Sequence, residues 1–418
     1  MNILLIYYSW EKKNRNTIDE SIRAFENYSV HKLFYLNYAF GVPSFLKNRK
    51  FDLIIYHYSI FALKMQEKRN LLDDSGFAIL ASLKGCKIAM PQDEYIYNDL
   101  ICRFYRKQGI ETVYTCFFET DYQKAYPESL SGLKNYFTVF PGYVDERALD
   151  NIKEFVLPIQ DRQIDLGYRA RKNPYWLGSL GVLKWKVTEV FGKYSGMIRM
   201  DVSNDPSKVF LGDEWYNFLA SCRCVLGVES GSSLMDFYGD LRPKIEKYQT
   251  ENPMADFKEV ETAVFPNLDN NINLATVSPR HFEACMTKTC QVLVEGNYAG
   301  VFKPGVHYIE VKKDWSNVPE VIEKIKDPTY CEKIAERAYQ DIILSGNYTY
   351  RKFVQEVLDF AQTQISEPAP ENAKMFRLLE WREKYPYLFH PFLYAYTGIK
   401  SYAKLYLLRK GWLKFFIK

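Results

Sequence analysis

The sequence predicts an α/β protein built from two doubly wound, Rossmann-like domains. Short, nearly continuous apolar runs alternate with polar stretches, as expected of parallel strands that helices cover on both faces. The 418 residues exceed the usual size of a single hydrophobic core. The alternating pattern also breaks in a Pro-containing segment near residues 155–161 and then begins again.

The first series of elements defines a domain that we set at residues 1–155. Its apolar runs, each followed by a polar stretch, predict five strands, at residues 2–8, 51–57, 85–90, 112–116 and 136–140. The first run has neither a basic lead nor a small-residue cleavage site, so we interpret it as a strand and not as a signal peptide.

The second series defines a domain that we set at residues 156–348. It predicts strands at residues 164–168, 197–200 and 224–228, helices at 174–191 and from 213, and a helix and a buried strand within 278–296. Residues 236–275 are interpreted as an insertion with a helix near 255–262. Three helices follow, at residues 318–326, 328–345 and 349–364, and a Pro-rich link leads to a tail; residues 349–418 form the third region.

Composition narrows the classes of function. Lysine and arginine exceed the acidic residues by 55 − 51 = 4, which is too close to balance to favour a nucleic-acid partner. The eight cysteines include no Cys-x-x-Cys pair, and the five histidines include no close pair. This pattern indicates reduced core thiols in a cytoplasmic protein without a structural zinc site. No segment has the length and apolar character of a membrane span.

The most informative segment is the helix start at residues 278–283. Ser278 suits the N-cap and Pro279 the first helical position, so backbone N–H groups and the positive end of the helix dipole face the same region. Such an end is suited to bind phosphate. Arg280 and His281 add donors, and Glu283 is spaced to accept a hydrogen bond from a ribose hydroxyl. An ordinary capped helix is the alternative.

This segment resembles the nucleotide-binding segment of GT-B glycosyltransferases, particularly the group 1 set related to CgeB-type proteins. The resemblance extends from the first strand to about Phe353, and it implies that Glu283 binds the nucleotide ribose. It also implies cations at the donor diphosphate: Arg169 or Arg171 after the domain's first strand, and Lys184 in the next helix. A solvated charged loop is the alternative for the cations.

One feature of the sequence departs from the pattern of family 4 of the glycosyltransferases with that fold. The pattern places two glutamates eight positions apart, whereas Ala275 stands eight positions before Glu283. Glu229, in the turn Glu229-Ser230-Gly231, is a candidate for the missing role, because a Gly/Ser-rich turn after a strand lets backbone approach a ligand closely. A plain tight loop is the alternative. The stereochemical course of the transfer therefore stays open.

An inverting transfer needs a general base that deprotonates the acceptor hydroxyl. Asp93, Glu94 and His57 follow predicted strands of the first domain, at the edge where open parallel sheets place their ligands. We prefer Asp93, because its turn is unusually polar beside a buried strand. The alternatives are that Asp93 or Glu94 caps the next helix and that His57 packs at a strand end.

The sequence thus predicts a cytoplasmic, metal-independent glycosyltransferase without a cofactor. It would move a sugar from a nucleotide donor to a hydroxyl of a glycan, in bacterial surface polysaccharide assembly. A sugar-nucleotide epimerase and a non-catalytic binding protein are the alternatives. The basic, aromatic tail at residues 399–418 either contacts an anionic membrane surface, for a lipid-linked acceptor, or packs on the first domain.

Overall fold

A computed structural model describes residues 1–9, 16–65 and 74–389 of the chain. The described residues form two compact units, each built around a parallel β-sheet, which confirms the predicted α/β class with two doubly wound sheets. Among the described residues, the first unit comprises those of 1–139 and 354–389, and the second comprises Phe140–Phe353.

The first unit contains a six-stranded parallel sheet in the order β2-β1-β3-β4-β5-β6. Its strands are β1 (Asn2–Tyr7), β2 (Lys32–Asn37), β3 (Lys50–Tyr56), β4 (Lys84–Ala89), β5 (Thr112–Thr115) and β6 (Asn135–Thr138). The helices along this part of the chain are α1 (Asn16–Asn27), α2 (Tyr58–Phe61), α3 (Ser75–Ala81), α4 (Asn98–Gln108), α5 (Tyr122–Ala125) and α6 (Glu128–Ser131). The five predicted strands are present, and β2 is an addition.

The second unit contains a five-stranded parallel sheet in the order β13-β12-β9-β7-β8. Its strands are β7 (Ile164–Arg169), β8 (Met200–Ser203), β9 (Cys222–Gly227), β12 (Cys290–Val294) and β13 (Ile309–Val311); β10 (Ser230–Ser232) and β11 (Leu274–Thr276) form a separate antiparallel pair. The helices are α7 (Leu149–Lys153), α8 (Gly178–Gly192), α9 (Asp213–Ser221), α10 (Leu241–Glu251), α11 (Phe257–Val264), α12 (Pro279–Met286), α13 (Val318–Lys326) and α14 (Pro328–Ala338).

The remaining helices follow the second sheet in the chain. They are α15 (Tyr350–Gln364), α16 (Ala373–Lys384) and α17 (Pro386–Phe389). The boundary between the two units falls inside α15, at Phe353. The chain therefore returns to the first unit, where the ring of Phe376 in α16 stacks on Phe34 of β2 with centroids 4.2 Å apart.

The units differ in two places from the domain limits expected from the sequence. Residues 140–155 belong to the second unit, because Val144 and Ile152 are buried in the same hydrophobic cluster as Val277 and Phe282. Residues 354–389 belong with the first unit, where the Ala369 N–H donates to the Asp52 carboxylate at 2.6 Å. Both segments are joined to their sheets by contacts that are distant in sequence.

The insertion at residues 236–275 contains two helices, α10 and α11, where the sequence predicted one. Its apolar residues Ile245, Val260 and Phe265 pack with Trp185 of α8 in one buried cluster. The Asp236 carboxylate accepts hydrogen bonds from the backbone N–H groups of residues 239–242. It thereby caps the start of α10.

Candidate functional site

The order of strands in the second unit identifies where a ligand site is expected. The chain passes from β7 to the edge strand β8 and then returns past β7 to β9, so the direction of winding reverses between β7 and β9. Open parallel sheets bind ligands outside the carboxyl ends of the strands at this switch point. The side chains near Arg169, which ends β7, and near Gly227, which ends β9, therefore form the candidate site.

Helix α12 begins at this switch point. The Arg280 guanidinium donates from Nη1 to the carbonyl oxygen of Arg169, and a Cβ placed on Gly227 would lie 3.3 Å from His281 Nε2. The predicted helix start is confirmed, with Ser278 as N-cap and Pro279 at the first position. The segment that the sequence singled out thus lies at the carboxyl ends of β7 and β9.

Glu283 is a buried carboxylate with one protein donor. The Trp215 indole Nε1–H, from α9, donates to Glu283 Oε2 at 2.7 Å. Glu283 has no other hydrogen-bond partner among the described residues, so Oε1 is left for a further donor. Burial raises the pKa of Glu283, whereas the hydrogen bond from Trp215 and the charge of Arg280 lower it.

Arg280 supplies positive charge beside this carboxylate. Its guanidinium Cζ lies 5.1 Å from the centroid of the Trp215 ring, within the range of a cation–π contact. The side chain is exposed. Burial raises the pKa of Tyr168 and the charge of Arg280 opposes that rise, whereas burial lowers the pKa of His281 and Arg280 adds to that decrease. An arginine held by a carbonyl and an aromatic face keeps guanidinium donors for an anionic ligand.

His281 caps the start of α12. Its Nδ1 accepts the Ser278 N–H at 2.9 Å, so the ring proton is on Nε2 when the ring is neutral. Burial lowers the pKa of His281 to about 3, which keeps the ring neutral. The Pro279 ring lies close to Gly142, where an added Cβ would come within 2.8 Å of the proline Cγ. The Ser278 N–H is thus already bound to His281, and Pro279 has no N–H. The groups that this helix start offers a ligand are therefore mainly the side chains of Arg280 and Glu283.

The three cations predicted for the diphosphate have different surroundings. Arg169 is buried within β7, where its guanidinium pairs with the Asp201 carboxylate at 2.6 Å and lies 4.4 Å from the Phe218 ring centroid. Its charge is thus already neutralised in the fold. Arg171 is exposed beyond the end of β7, and Lys184 is half-buried in α8, close enough to lower the pKa of His281. Arg171 and Lys184 stay predictions for the diphosphate.

Glu229 supports the loop that follows β12. Its carboxylate accepts the Tyr298 N–H at 2.7 Å, and it lies beside Gly296, where an added Cβ would be 2.6 Å from Oε2. Tyr298, Ala299 and Gly300 all have positive φ values, from 47° to 71°. Such conformations are strained for residues other than glycine. Glu229 therefore stabilises an unusual loop at the carboxyl end of the interior strand β12.

The Ser230-Gly231 turn is part of an antiparallel strand pair. Gly231 lies opposite Ala275 in the pairing of β10 with β11, at a φ of 123°. A Cβ at this position would be 1.6 Å from the Leu274 carbonyl oxygen. The glycine therefore allows β11 to approach, whereas the sequence interpretation assigned the close approach to a ligand.

The candidate bases of the first unit also differ in exposure. Asp93 is exposed, with a left-handed φ of 54°, and its carbonyl accepts the buried Lys64 ammonium at 2.6 Å. Glu94 is buried and accepts hydrogen bonds from Thr115, from Cys116 N–H at 2.7 Å and from Tyr126 at 2.6 Å. Burial raises the pKa of Glu94 to about 7. Neither carboxylate caps α4, whose N-cap is Tyr97.

His57 lies at the switch point of the first sheet, after β3, but it is buried. Its Nε2 lies 2.9 Å from Ser21 Oγ, and its Nδ1 accepts the Ser59 N–H at 3.3 Å. Burial lowers the pKa of His57 to about 3. Both ring nitrogens thus have protein partners, as in a packed strand-end residue.

Two features of these sites were not predicted from the sequence. Trp215 is seven residues before the strand it borders and 68 positions from Glu283, and Lys64 is 29 positions from Asp93. Neither spacing belongs to a local motif. For Lys64 the available signal was a charged residue within the apolar run of residues 61–65, whereas Trp215 offered no such signal.

No protein-family model matches the chain, and no curated protein matches it. Several solved structures are similar to it over most of its length. One is an alpha-glucosyltransferase in complex with UDP-glucose and DNA containing an abasic site, with 11% identity, a TM-score of 0.49 and coverage of 87% of this chain and 99% of that chain. Another is Anabaena HepE in complex with UDP-glucose, with 11% identity, a TM-score of 0.45 and coverage of 86% and 100%.

A third similar structure is AviGT4, a glycosyltransferase involved in avilamycin A biosynthesis, with 10% identity, a TM-score of 0.42 and coverage of 86% of this chain and 97% of that chain. These ligands and activities belong to those proteins. For this chain the absence of a nucleic-acid partner stays a prediction from its charge balance, and the assignment of function depends on the site described above.

Within the described residues, every helix is too short or too polar to cross a membrane. The predicted membrane contact of the tail at residues 399–418 lies outside the described residues.

Proposed function

We propose that the protein is a glycosyltransferase that moves a sugar from a nucleotide-sugar donor to a hydroxyl of a glycan acceptor. The observation that supports this proposal most strongly is the grouping of Glu283, Trp215 and Arg280 at the β7/β9 switch point. A carboxylate with one unfilled oxygen and an adjacent arginine match the hydroxyl groups and the diphosphate of a nucleotide.

In this proposal Glu283 binds the ribose. The Trp215 indole holds Oε2, so a ribose hydroxyl donates to Oε1. A buried carboxylate gains stability from each additional donor, because burial has removed its water. Arg280 interacts with the diphosphate through charge-assisted hydrogen bonds.

Cations beside the diphosphate would also assist cleavage of the bond between the sugar and the diphosphate. When the bond between the anomeric carbon and the diphosphate oxygen breaks, its electron pair stays on the oxygen, and the negative charge of the leaving nucleotide increases. A fixed cation stabilises this developing charge more than it stabilises the bound donor. We propose Arg280 for this role, with Arg171 and Lys184 as further candidates.

The acceptor hydroxyl oxygen forms the new bond to the anomeric carbon and gives its proton to a base. We propose Asp93 as that base in an inverting reaction, because it is exposed, whereas Glu94 and His57 are buried with protein partners. The stereochemical course stays open, since Ala275 occupies the position of the first glutamate of the family 4 pattern.

A binding experiment tests the donor site. Thermal shift with a panel of nucleoside diphosphates identifies the base, because a ligand that binds only the folded protein raises the melting temperature. Glu283→Ala is expected to weaken binding about 10- to 100-fold, the range for hydrogen bonds to a charged group. The surface variant Glu251→Ala is the matched control. Equal affinity in Glu283→Ala and in the control would remove Glu283 from the site.

A turnover experiment tests the reaction class. Donor consumption that requires a glycan acceptor supports the transferase, whereas quantitative epimerisation of the donor alone would establish the epimerase. Asp93→Asn is expected to bind nucleotide normally and to lose transfer. Normal turnover in Asp93→Asn would exclude it as the base, and a protein that binds no nucleotide of the panel would be a non-catalytic one.

A further inference from the structure

The second unit contains a cluster of three thiols that the nucleotide site does not use. Cys224 in β9 and Cys290, the first residue of β12, lie opposite each other in neighbouring strands, and Cys331 in α14 covers them. Their sulfur atoms all lie within 4.8 Å of one another, and those of Cys224 and Cys331 are 3.5 Å apart. All three side chains are fully buried.

The sulfur separations are close to those around a bound metal ion. A metal–sulfur bond of about 2.3 Å requires sulfur atoms about 3.8–4.0 Å apart in tetrahedral or trigonal geometry. The sulfurs of this cluster therefore need to move by less than about 1 Å to share one ion. Side-chain rotation within the staggered wells supplies movements of this size.

Buried positive charge surrounds the cluster. Arg162 is 1% exposed and donates to three backbone carbonyls and to the hydroxyl of Thr289. No carboxylate lies within ion-pair distance of Arg162 in the part of the chain that the structure describes. The guanidinium lies beside the cluster, because its acceptors include the Cys222 carbonyl, two residues before Cys224, and the Thr289 hydroxyl, next to Cys290. Because an unpaired buried cation is costly, thiolates here would stabilise Arg162.

A second arginine points to the same conclusion. Arg223 is buried and pairs with Asp165 at 3.1 Å, but its Nε–H has no hydrogen-bond partner among the described residues. Its Nη1 donates to the Ile325 carbonyl at 3.1 Å, and this carbonyl also lies 3.8 Å from the Cys331 sulfur. Two buried cations thus lie beside the segments that carry the cysteines.

The end of a helix also faces Cys331. Its sulfur lies 3.4 Å from the Lys324 carbonyl and 3.8 Å from the Ile325 carbonyl, in the last turn of α13. Carbonyl groups at a helix C-terminus favour a cation and disfavour an isolated thiolate. The Cys331 thiol donates to these carbonyls, and a metal ion bound by the thiolates would replace the thiol proton as the positive charge that faces them.

We propose that Cys224, Cys290 and Cys331 form a buried site for one thiophilic metal ion, bound through three thiolates. On binding, the thiol protons pass to solvent. Thiolate ligands without imidazole favour zinc or copper(I). The site lies at the amino end of β12, whereas the proposed nucleotide site lies at the carboxyl ends of β7 and β9, so its role is structural. It differs from the expectation that spacing alone excludes a zinc site.

Metal content of the full chain tests this proposal. Because the cluster is buried, the ion must enter during folding, so the protein is produced in cells supplied with zinc, copper or cadmium and purified with a chelator under reducing conditions. We expect about one chelator-resistant metal ion per chain. Whether the protein retains zinc or copper after chelation identifies the preferred metal. Cadmium reports thiolate binding through its ultraviolet charge-transfer band.

Variants locate the ion. Cys290→Ala and Cys331→Ala are expected to lose it, whereas Cys102→Ala, at a buried cysteine of the first unit, retains it. Metal-free wild-type protein in all three arms, or equal metal content in the cluster variants and the control, would overturn the proposal. If the cluster variants fail to fold, X-ray absorption on cadmium-loaded wild-type protein decides: three sulfur ligands support the site, and fewer than three reject it.

Discussion

Replacing Trp215 by phenylalanine tests the central contact of the nucleotide site. The change keeps an aromatic ring near Arg280 but removes the indole N–H that donates to Glu283 at 2.7 Å. Glu283 is 8% exposed, so water replaces this donor poorly. A hydrogen bond to a charged group contributes about 1.5–3 kcal/mol. We therefore expect Trp215→Phe to destabilise the second unit by about that amount.

The effect has a measurable size in thermal unfolding. For a domain of 150–250 residues, each kcal/mol shifts the melting temperature by about 2–4 °C, so the expected decrease is about 3–12 °C. Nucleoside diphosphate affinity is expected to fall as well, by about tenfold, because Glu283 loses the donor that orients it. Calorimetry measures the first effect and titration the second.

The destabilisation also depends on pH in a defined direction. Burial raises the pKa of folded Glu283 above its unfolded value of 4.5, so the folded state holds the extra proton between the two values, and stability falls as pH rises through that window. Removing the Trp215 donor raises the folded pKa further. Trp215→Phe should therefore lose more stability at pH 8 than at pH 5.

Trp185 offers a matched control in the same unit. It is buried, whereas Trp215 is half-buried, and its Nε1 has no hydrogen-bond partner among the described residues. Trp185→Phe removes an indole N–H without removing a hydrogen bond, and it should leave nucleotide affinity unchanged. Equal effects of the two variants on stability, pH dependence and affinity would refute the assignment of Trp215 as the residue that positions Glu283.

Two further predictions concern buried groups. Glu94 has a folded pKa of about 7 against 4.5 unfolded, so the wild type should lose stability as pH rises between these values, by up to about 1.4 kcal/mol per pH unit. Glu94→Gln should abolish this loss when the free energy of unfolding is measured in urea at several pH values. An unchanged pH dependence in the variant would contradict the assignment to Glu94. Gly227→Ala should cost about 1–3 kcal/mol, because its Cβ would lie 2.5 Å from Leu293. Gly192→Ala, whose Cβ meets nothing within 4 Å, should be neutral or stabilising, and equal unfolding midpoints for the two variants would refute the clash.

Much of the fold was predictable because local pattern specifies it. Continuous apolar runs predicted five strands of the first sheet, and the Ser-Pro signal predicted the start of α12. The edge strand β2 and the return of α16 to the first unit were not predicted. The apolar pattern of β2 is weak, because Lys32 at its start is exposed and Asn37 at its end is half-buried, and Phe376 contacts Phe34 only when segments far apart in the sequence meet.

For the site, the sequence by itself determined the kinds of chemical group: a carboxylate and an arginine at a helix start, beside buried strands. Only the tertiary structure decided which groups are available to a ligand. It pairs Arg169 with Asp201 and Glu229 with the loop after β12, while it leaves one oxygen of Glu283 open beside Arg280. The physical reason is that charge and hydrogen-bonding capacity belong to the residue, whereas burial and partners depend on segments that meet only when the chain folds.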